Sequence, residues 1–236
     1  MPCPRPIYFG NRAKDNDGGL YMRVVILGAS LDAMCAAHAL LDATTKFQIE
    51  IVTERAEIGL MGEVPGLFSS WPPCPVDWIS DMASQTPDHM STAVRGSWFA
   101  KAMGIQLSKR GCIFHLRSRV TNVDDTNVQF VGAGTLGKSR IEFDHIVDLR
   151  PRKLGGTVWH GIVSRIENTP EMGLSGRRSD GTNETWSKDR HQGNKTAIQE
   201  MTWIGDNPTS FISSEIERGI QIAHDISNTT IHPVEQ

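Results

Sequence analysis

Residues Met22 to Arg55 read MRVVILGASLDAMCAAHALLDATTKFQIEIVTER, and this stretch decides the fold class. Val24 to Leu27 is an uninterrupted apolar run, typical of a strand that is buried on both faces of a parallel sheet. The run ends at Gly28, where alanine-rich sequence begins and predicts a helix, and a second strand is predicted from Gln48 to Thr53. Strand, glycine turn, helix and strand in this order predict a β-α-β unit. We therefore expect an α/β fold with a Rossmann-like parallel sheet.

The turn after the first strand, GASLDA, has the spacing of a dinucleotide-binding fingerprint. Gly28 at its first position permits a tight turn, and Ala33 at its sixth lets the helix pack closely on the strand. Ser30 departs from the glycine that the third position prefers. Phosphates would lie at the helix N-terminus, with Leu31 in the first turn, where unpaired N–H groups and the helix dipole favour anions. The alternative is a β-α-β unit that packs in the same way and binds nothing.

An acid follows the second strand of this unit. Glu54 lies slightly more than about 20 residues past the glycine turn, where a carboxylate accepts hydrogen bonds from ribose hydroxyls. An acid at this position disfavours the 2′-phosphate of NADP, although the adjacent Arg55 leaves that ligand as a minor alternative. The alternative for Glu54 is a solvated strand end. These residues by themselves predict a bound dinucleotide.

The composition is that of an ordinary globular protein. Of the 236 residues, 39% are hydrophobic and 22% are charged, and the net charge is −3, which does not indicate a nucleic-acid partner. No apolar run reaches the roughly 20 residues that span a bilayer, and the N-terminus lacks the apolar core of a signal peptide. The four cysteines have no CxxC spacing, so we expect free thiols and no metal site. We expect a soluble, cytoplasmic protein.

The pattern along the chain predicts one domain over residues 22–227. Residues 1–21 are polar and lack periodicity, which predicts a flexible N-terminal extension, and residues 228–236 are predicted to form a frayed tail. Residues 167–200 are rich in Gly, Ser, Asn, Arg and Asp, and we expect a polar, mobile insertion there.

Several further elements are predicted between these boundaries. Apolar residues at helical spacing predict a helix over residues 96–110, and a change to a period of two predicts a strand from 112 to 120. Short strands at 127–131 and 139–143 follow, and the sequence HIVDL at 145–149 predicts a buried strand. The last predicted elements are strands at 156–166 and 201–204 and an amphipathic helix at 213–226.

Three separated segments of this pattern carry a family resemblance. The first is the β-α-β unit that ends at Glu54, and the second is the antiparallel excursion from Gly111 to Asp148. The third is TWIGDNP at Thr202–Pro208, followed by a helix. Together they resemble the FAD-binding domain of the flavoprotein oxidoreductases, in particular the branch that contains the flavin monooxygenases and flavin-dependent halogenases. The resemblance spans nearly the whole chain from Met22 and implies FAD as the cofactor.

The resemblance implies roles for residues in the first two segments. Glu54 and Arg55 match the position of the AMP ribose, and the backbone of Val120 matches the position that contacts the adenine. The sequence Gly62-Glu63-Val-Pro is similar to a Gly-Glu-x-x-Pro loop that halogenases place along the isoalloxazine ring. The WxWxIP motif and the halogen-carrying lysine of the halogenases are missing, however. The resemblance therefore implies a flavin site without halogen chemistry.

In the third segment, Gly205 and Asp206 match a glycine-aspartate motif whose aspartate binds the ribityl chain. The helix that follows implies that the amides of Ser210 to Ser213, including Phe211 and Ile212, point at the flavin pyrimidine. A helix start there stabilises negative charge on reduced flavin. Considered alone, Gly205-Asp206 is an ordinary turn before a helix.

The candidate catalytic residues are Glu63, His89 and His160. Glu63 follows from the loop resemblance, and the histidines are included because an imidazole exchanges protons near neutral pH, although each is as well explained by packing or surface exposure. Only about sixty residues separate Asp148 from Asp206, which leaves room for a compact pocket wall.

Two functions stay open at this point. The first is an FAD-dependent oxidoreductase, monooxygenase-like, that acts on a small hydrophobic molecule. It would be reduced by its substrate, by free nicotinamide or by a reductase partner, because the sequence has no second nucleotide fingerprint. The second is a non-catalytic protein or subunit that binds FAD or NAD and needs a partner for catalysis.

Overall fold

The structure, a computed structural model, describes residues 7–8, 13–14, 20–60, 62–72, 74–79, 85–132, 138–151, 155–190 and 196–231. The strands are β1 Ile7–Tyr8, β2 Ala13–Lys14, β3 Leu20–Leu27, β4 Phe47–Val52, β5 Ile113–His115, β6 Ser118–Val123, β7 Asn127–Gly132, β8 Lys138–Glu142, β9 His145–Asp148, β10 Thr157–Arg165, β11 Leu174–Arg177, β12 Thr182–Ser187 and β13 Gln199–Gly205. The α-helices are α1 Leu31–Asp42, α2 Gly96–Lys109 and α3 Phe211–Ile231, and short 3₁₀ helices lie at Val76–Trp78 and Ile166–Asn168.

The chain divides into two compact units, each built from separated segments. The first unit comprises Met1–Leu60, Gly104–Pro151 and Glu217–Gln236, and the second comprises Met61–Met103 and Arg152–Ile216. A single domain over residues 22–227 stays a prediction.

The first unit is built on the predicted β-α-β unit. Strands β9, β3, β4 and β5 lie side by side and run parallel, with Val24 of β3 opposite Ile49 of β4. The four residues from Val24 to Leu27 are at most 1% exposed, because α1 covers one face of the sheet and further strands cover the other. The predicted order of strand, turn, helix and strand is confirmed.

A three-stranded antiparallel sheet, β6-β7-β8, packs on the same unit. Its apolar residues Val128, Phe130 and Ile141 form one core cluster with Leu27 and Val52 of the parallel strands. The sequence predicts one strand from residue 112 to 120, and this is wrong: the chain breaks between β5, which joins the parallel sheet, and β6. The break has a local cause, because Arg117 has a φ of 50° and its N–H bonds the carbonyl of Arg55.

Both chain ends contain more regular structure than the sequence predicts. Within the predicted extension, β1 pairs with β9 and β2 pairs with β3, so Ile7–Tyr8 and Ala13–Lys14 are strands. Such short strands satisfy backbone groups that a sheet edge leaves unpaired. At the other end α3 continues to Ile231, and the hydroxyl of Thr229 donates to the carbonyl of Asp225 one turn earlier. Residues 228–231 are therefore helical.

The second unit contains an antiparallel sheet in the order β11-β12-β10-β13. Two of its strands, β11 and β12, lie within residues 167–200, where the sequence predicts a mobile insertion; residues 191–195 of that stretch lie outside the described residues. The two strands form a hairpin whose turn has Gly181 at a φ of 81° and Asp180 accepting the N–H of Thr182. Trp186 of β12 is fully buried in a cluster with Trp159 and Met201. Residues 167–200 thus contribute, despite their polar composition, two strands to a sheet with a buried apolar cluster.

Candidate functional site

The glycine turn after β3 has a backbone that requires glycine. Gly28 has a φ of 112°, and a Cβ atom there would lie 2.4 Å from the carbonyl oxygen of Leu149. Its N–H donates to the carbonyl of Val52 at 2.9 Å, which ties the turn to the end of β4. The chain then enters α1, with Ser30 at the N-cap position. The N-terminus of α1 and the ends of β3 and β4 are therefore adjacent.

Ser30, which replaces the second fingerprint glycine, makes an unexpected contact. Its hydroxyl does not cap a backbone amide of α1 but hydrogen-bonds to Oδ1 of Asp32. The same oxygen accepts the N–H of Ala33 at 2.8 Å, and Oδ2 accepts Nε of Arg218 at 2.7 Å. A buried carboxylate thus lies in the first turn of α1. The sequence signal for it, an acid within an apolar helix start, was missed.

Leu31 and Ala33 contribute to this turn through their backbones. Both side chains are buried in the core, so the predicted contacts of these residues with a ligand can come only from main-chain groups. That arrangement suits a fingerprint whose small residues serve the close approach of backbone and helix.

An arginine that the sequence reasoning missed lies beside Glu54. Arg150 donates from Nε to Oδ1 of Asp148 at 2.9 Å and from Nη2 to Oδ2 at 2.7 Å. The hydrogen bond to Asp148 raises the pKa of Arg150 above its ordinary value, and the negative charges of Asp148 and Glu54 add to this effect. The backbone N of Arg150 is 3.0 Å from the position of a Cβ on Gly28. Glu54 itself is exposed.

The other two predicted nucleotide residues of the first unit lie at the junction between β4 and β6. The N–H of Arg55 donates to Oγ1 of Thr53 at 3.3 Å, and its carbonyl accepts the N–H of Arg117. Val120 lies in β6 opposite Phe130, with its side chain packed against the core. The first unit therefore brings Gly28, Ser30, Glu54 and Arg55 to one edge of the parallel sheet, and their contact with a nucleotide stays a prediction.

In the second unit, the predicted flavin loop precedes α2. Gly62 is exposed with a φ of 78°, and Oε1 of Glu63 accepts Nη2 of Arg95 at 2.7 Å. Glu63 Oε2, Arg95 Nε and Ser97 Oγ are buried and have no hydrogen-bond partner among the described residues. Sequence reasoning missed Arg95, because nothing local pairs it with a residue 32 positions earlier.

The predicted glycine-aspartate motif lies at the end of β13. The carbonyl of Gly205 accepts Nε1 of Trp159 at 3.2 Å, and a Cβ at this position would lie 2.2 Å from the ring of Trp203. Asp206 is exposed. Helix α3 begins at Phe211, whose ring contacts that of Trp203 edge-on with centroids 5.4 Å apart. The side chain of Ile212 is buried, so this residue could contact a ligand only through its backbone.

Among the described residues, the catalytic candidates Glu63, His89 and His160 do not form a hydrogen-bonded group. His89 is exposed in a turn next to Asp88, and His160 is half-buried in β10 opposite Thr202 and Ser187. Within the described ranges, no hydrogen bond or ion pair connects either histidine to Glu63. Both histidines stay predictions.

Three cysteines lie within the described residues. Cys35, Cys74 and Cys112 form no disulfide, and Cys3 lies outside the described residues. Burial raises the pKa of Cys74 to about 11 and that of Cys112 to about 12, so both are protonated near neutral pH and are poor nucleophiles. The part of the chain that the structure describes contains no cluster of three or more His, Cys, Asp or Glu able to hold a metal ion. It also contains no helix with the length and apolar character needed to cross a membrane.

A separate cavity of about 460 Å³ lies in the first unit, between the parallel and the three-stranded sheet. Its lining includes Arg23, Arg140 and a hydrogen-bonded pair in which Nε2 of His115 is 2.7 Å from Oε2 of Glu50. Neither Gly28 nor Glu54 lines it, so it is distinct from the nucleotide edge.

The chain is similar to known proteins in its structure but matches none of them by sequence. No protein-family model and no curated protein matches the sequence. The myxobacterial chondrochloren halogenase CndH, a variant of the FAD-dependent halogenases, aligns with a TM-score of 0.59 and 9% identity over 92% of this chain and 76% of that one. A flavoprotein/dehydrogenase from Cytophaga hutchinsonii aligns with a TM-score of 0.56 and 11% identity over 91% of this chain and 80% of that one. The chain therefore shares its fold with these two proteins.

The predicted α/β fold and the resemblance to an FAD-binding domain are thereby confirmed at the level of fold. BexE, studied for oxidation during BE-7585A biosynthesis, aligns with a TM-score of 0.56 and 12% identity over 91% of this chain. The present chain spans 64% of the length of BexE, which is less than two thirds.

Proposed function

We propose that this chain binds FAD, with the adenosine diphosphate part at the edge formed by the ends of β3 and β4. One observation carries the proposal: the positive-φ turn at Gly28, the start of α1 and the Glu54 carboxylate come together at this edge. Backbone N–H groups at a helix start favour phosphate, and a carboxylate after the second strand suits ribose hydroxyls. The fold of CndH, an FAD-dependent halogenase, supports FAD over other dinucleotides.

The residues at this edge fit a dinucleotide. A Cβ on Gly28 would collide with the backbone carbonyl of Leu149, so the tight turn that the fingerprint needs requires glycine here. The Asp32 carboxylate in the first turn of α1 works against phosphate, but Arg218 pairs with it. Glu54 is exposed and able to accept hydrogen bonds from a ligand.

For the second unit we assign the loop at Gly62 and Glu63 and the motif at Gly205 and Asp206 to the flavin end of FAD, following the family resemblance. The positive φ of Gly62 and the buried, unpaired Oε2 of Glu63 support a loop built to meet a ligand. The amides at the start of α3, those of Phe211 and Ile212 included, receive the flavin pyrimidine in this assignment. Bound FAD would supply the redox chemistry, and the protein would orient the ring and exclude water.

The reaction we propose is a monooxygenase-like oxidation of a small hydrophobic molecule, with electrons from the substrate, free nicotinamide or a reductase partner. Glu63, His89 and His160 are the residues to test as proton donors or acceptors. A second candidate function is a non-catalytic FAD- or NAD-binding subunit. It is favoured by one observation, that among the described residues no hydrogen bond or ion pair joins Glu63 to His89 or His160.

A titration tests the cofactor. The purified chain should bind FAD and quench its fluorescence, and Glu54→Ala should weaken binding about tenfold, because hydrogen bonds to a charged group contribute roughly 1.5–3 kcal/mol. Glu217→Ala, which removes an exposed acid from α3 in the same unit, serves as the matched control and should bind like wild type. Protein that binds no FAD would refute the proposal, and preferential binding of NAD would move it to the dehydrogenases.

A reduction experiment separates the two candidate functions. If the FAD-loaded protein is an oxidoreductase, NADH, NADPH or a reductase should bleach the flavin band near neutral pH, and air should restore it. A flavin that stays oxidised with these donors while remaining bound supports the non-catalytic subunit over an enzyme that nicotinamide or a reductase reduces.

A further inference from the structure

A buried ion pair lies where the phosphates of the proposed ligand would bind. The Asp32 side chain is 2% exposed, and both of its oxygens are occupied. Oδ1 accepts from the Ser30 hydroxyl and from the N–H of Ala33, and Oδ2 accepts from Nε of Arg218 at 2.7 Å. The carboxylate therefore uses one of the donors that the start of α1 offers to an anion.

The packing of α3 on α1 fixes this pair. A Cβ on Gly219 would lie 2.6 Å from the carbonyl oxygen of Asp32 and 2.6 Å from Cβ of Cys35, so only glycine permits this closeness. Arg218, the residue before it, is thereby held at the first turn of α1. Its side chain is 53% exposed, which leaves part of the guanidinium accessible.

The electrostatic consequence concerns phosphate binding. A negative charge within the first turn stabilises the helix itself but repels a second anion at the same place. The arginine supplies the compensating charge from a separate helix. We infer that the Asp32–Arg218 pair sets the affinity of this edge for a dinucleotide pyrophosphate, with Arg218 as the positioning residue that neutralises Asp32. The inference rests on the proposed function, since the phosphate site is the one assigned above.

A purely structural role of the Asp32–Arg218 pair would give a different result. If the ion pair only fastens α3 to α1, its removal lowers stability but changes FAD affinity by the same factor at every salt concentration. A charge effect on the pyrophosphate instead weakens as salt rises, because the Debye length falls from about 10 Å at 0.1 M to about 3 Å at 1 M. The salt dependence of FAD affinity therefore separates the two roles.

The experiment measures the dissociation constant of FAD at low and high sodium chloride for four proteins. At low salt, Arg218→Ala should weaken binding roughly tenfold and Asp32→Asn should tighten it several-fold, as expected for one charge near a phosphate. The double variant, which like the wild-type ion pair carries no net charge at this place, should bind close to wild type. These differences should shrink at 1 M salt. Asp225→Asn, on α3 two turns beyond Arg218, is the control for removal of an acid and should match wild type.

The outcomes distinguish a failure of the proposed function from a failure of this inference. Wild-type protein that binds no FAD overturns the proposed function, and this inference with it. If wild type binds FAD and Asp32→Asn does not differ from it, the inference alone is overturned. A thermal melt checks that each variant folds. Should Arg218→Ala fail to fold, the Asp32→Asn and double variants decide the question, since neither leaves a buried charge on Asp32.

Discussion

The two units differ in a residue type that each buries, as one strand of each unit shows. In the first, the four residues from Val24 to Leu27 are apolar and at most 1% exposed. In the second, an acid is fully buried: Glu184 of β12 is 0% exposed, beside the buried Arg178. An apolar run predicts its own burial from sequence, whereas a buried acid looks like an ordinary surface residue until its partners are known.

The partners of Glu184 account for its burial. Oε1 accepts the N–H of Gly66 at 2.8 Å and Nε1 of Trp186 at 2.6 Å. Oε2 accepts Nε and Nη2 of Arg178 at 3.0 and 2.5 Å. Four donors thus satisfy one carboxylate, which ties the chain after the Gly62 loop to the sheet. This satisfied network stabilises the second unit in addition to its apolar core.

The largest expected effect is in this network. Glu184→Ala leaves Arg178 as a buried, unpaired charge, which costs about 3–5 kcal/mol. We expect chemical denaturation to show that loss in the free energy of unfolding. Glu200→Ala, at an exposed position of β13 in the same sheet, should change it by less than about 0.5 kcal/mol. Equal unfolding midpoints for the two variants would show that the network does not support the second unit.

A smaller loss is expected at the nucleotide edge of the first unit. Gly28→Ala adds a Cβ at a φ of 112° and 2.4 Å from a backbone oxygen, and we expect a cost of about 2–3 kcal/mol with loss of FAD binding. Gly111→Ala is the matched control, because its φ is 90° but nothing lies within 4 Å of the added atom. It should cost only about 1 kcal/mol. Similar costs at both positions would mean that backbone strain, and not the contact with Leu149, makes Gly28 necessary.

The sequence predicts most elements of the first unit because its signals are local. Apolar periodicity marks β3, α1 and β4, and the fingerprint marks Gly28 and Glu54. The break between β5 and β6 was missed, since it depends on a bond from Arg117 to the end of a strand about 60 residues earlier. Local pattern carries no information of that kind.

The charged partners at the site were missed for the same physical reason. Arg218 is 186 positions from Asp32, and only the packing of α3 on α1 brings them together. The hairpin of β11 and β12 was missed because Glu184 and Arg178, which it buries, are read as solvent-exposed in a stretch of polar composition. Satisfied buried polar groups are a property of three-dimensional structure, which composition does not report.

The first unit also buries polar residues, and one of them gives the smallest expected effect. His145 in β9 is buried, and burial lowers its pKa below the ordinary value, with the charge of Asp144 acting in the opposite direction. The unfolded chain takes up a proton on this imidazole below about pH 6.5, whereas the folded chain resists it. Stability should therefore fall as the pH drops from about 6.5 to 5, by at most about 1.4 kcal/mol per pH unit.

His145→Gln should remove that part of the pH dependence. We expect the free energy of unfolding of the variant to change less between pH 6.5 and 5 than that of wild type, in a window above the ordinary pKa of the carboxylates. His224→Gln, at an exposed position of α3, should keep the wild-type slope. Parallel curves for wild type and His145→Gln would mean that β9 opens enough to protonate His145 without loss of the fold. The first unit would then tolerate a charge in its sheet without the four hydrogen-bond donors that surround the Glu184 carboxylate in the second unit.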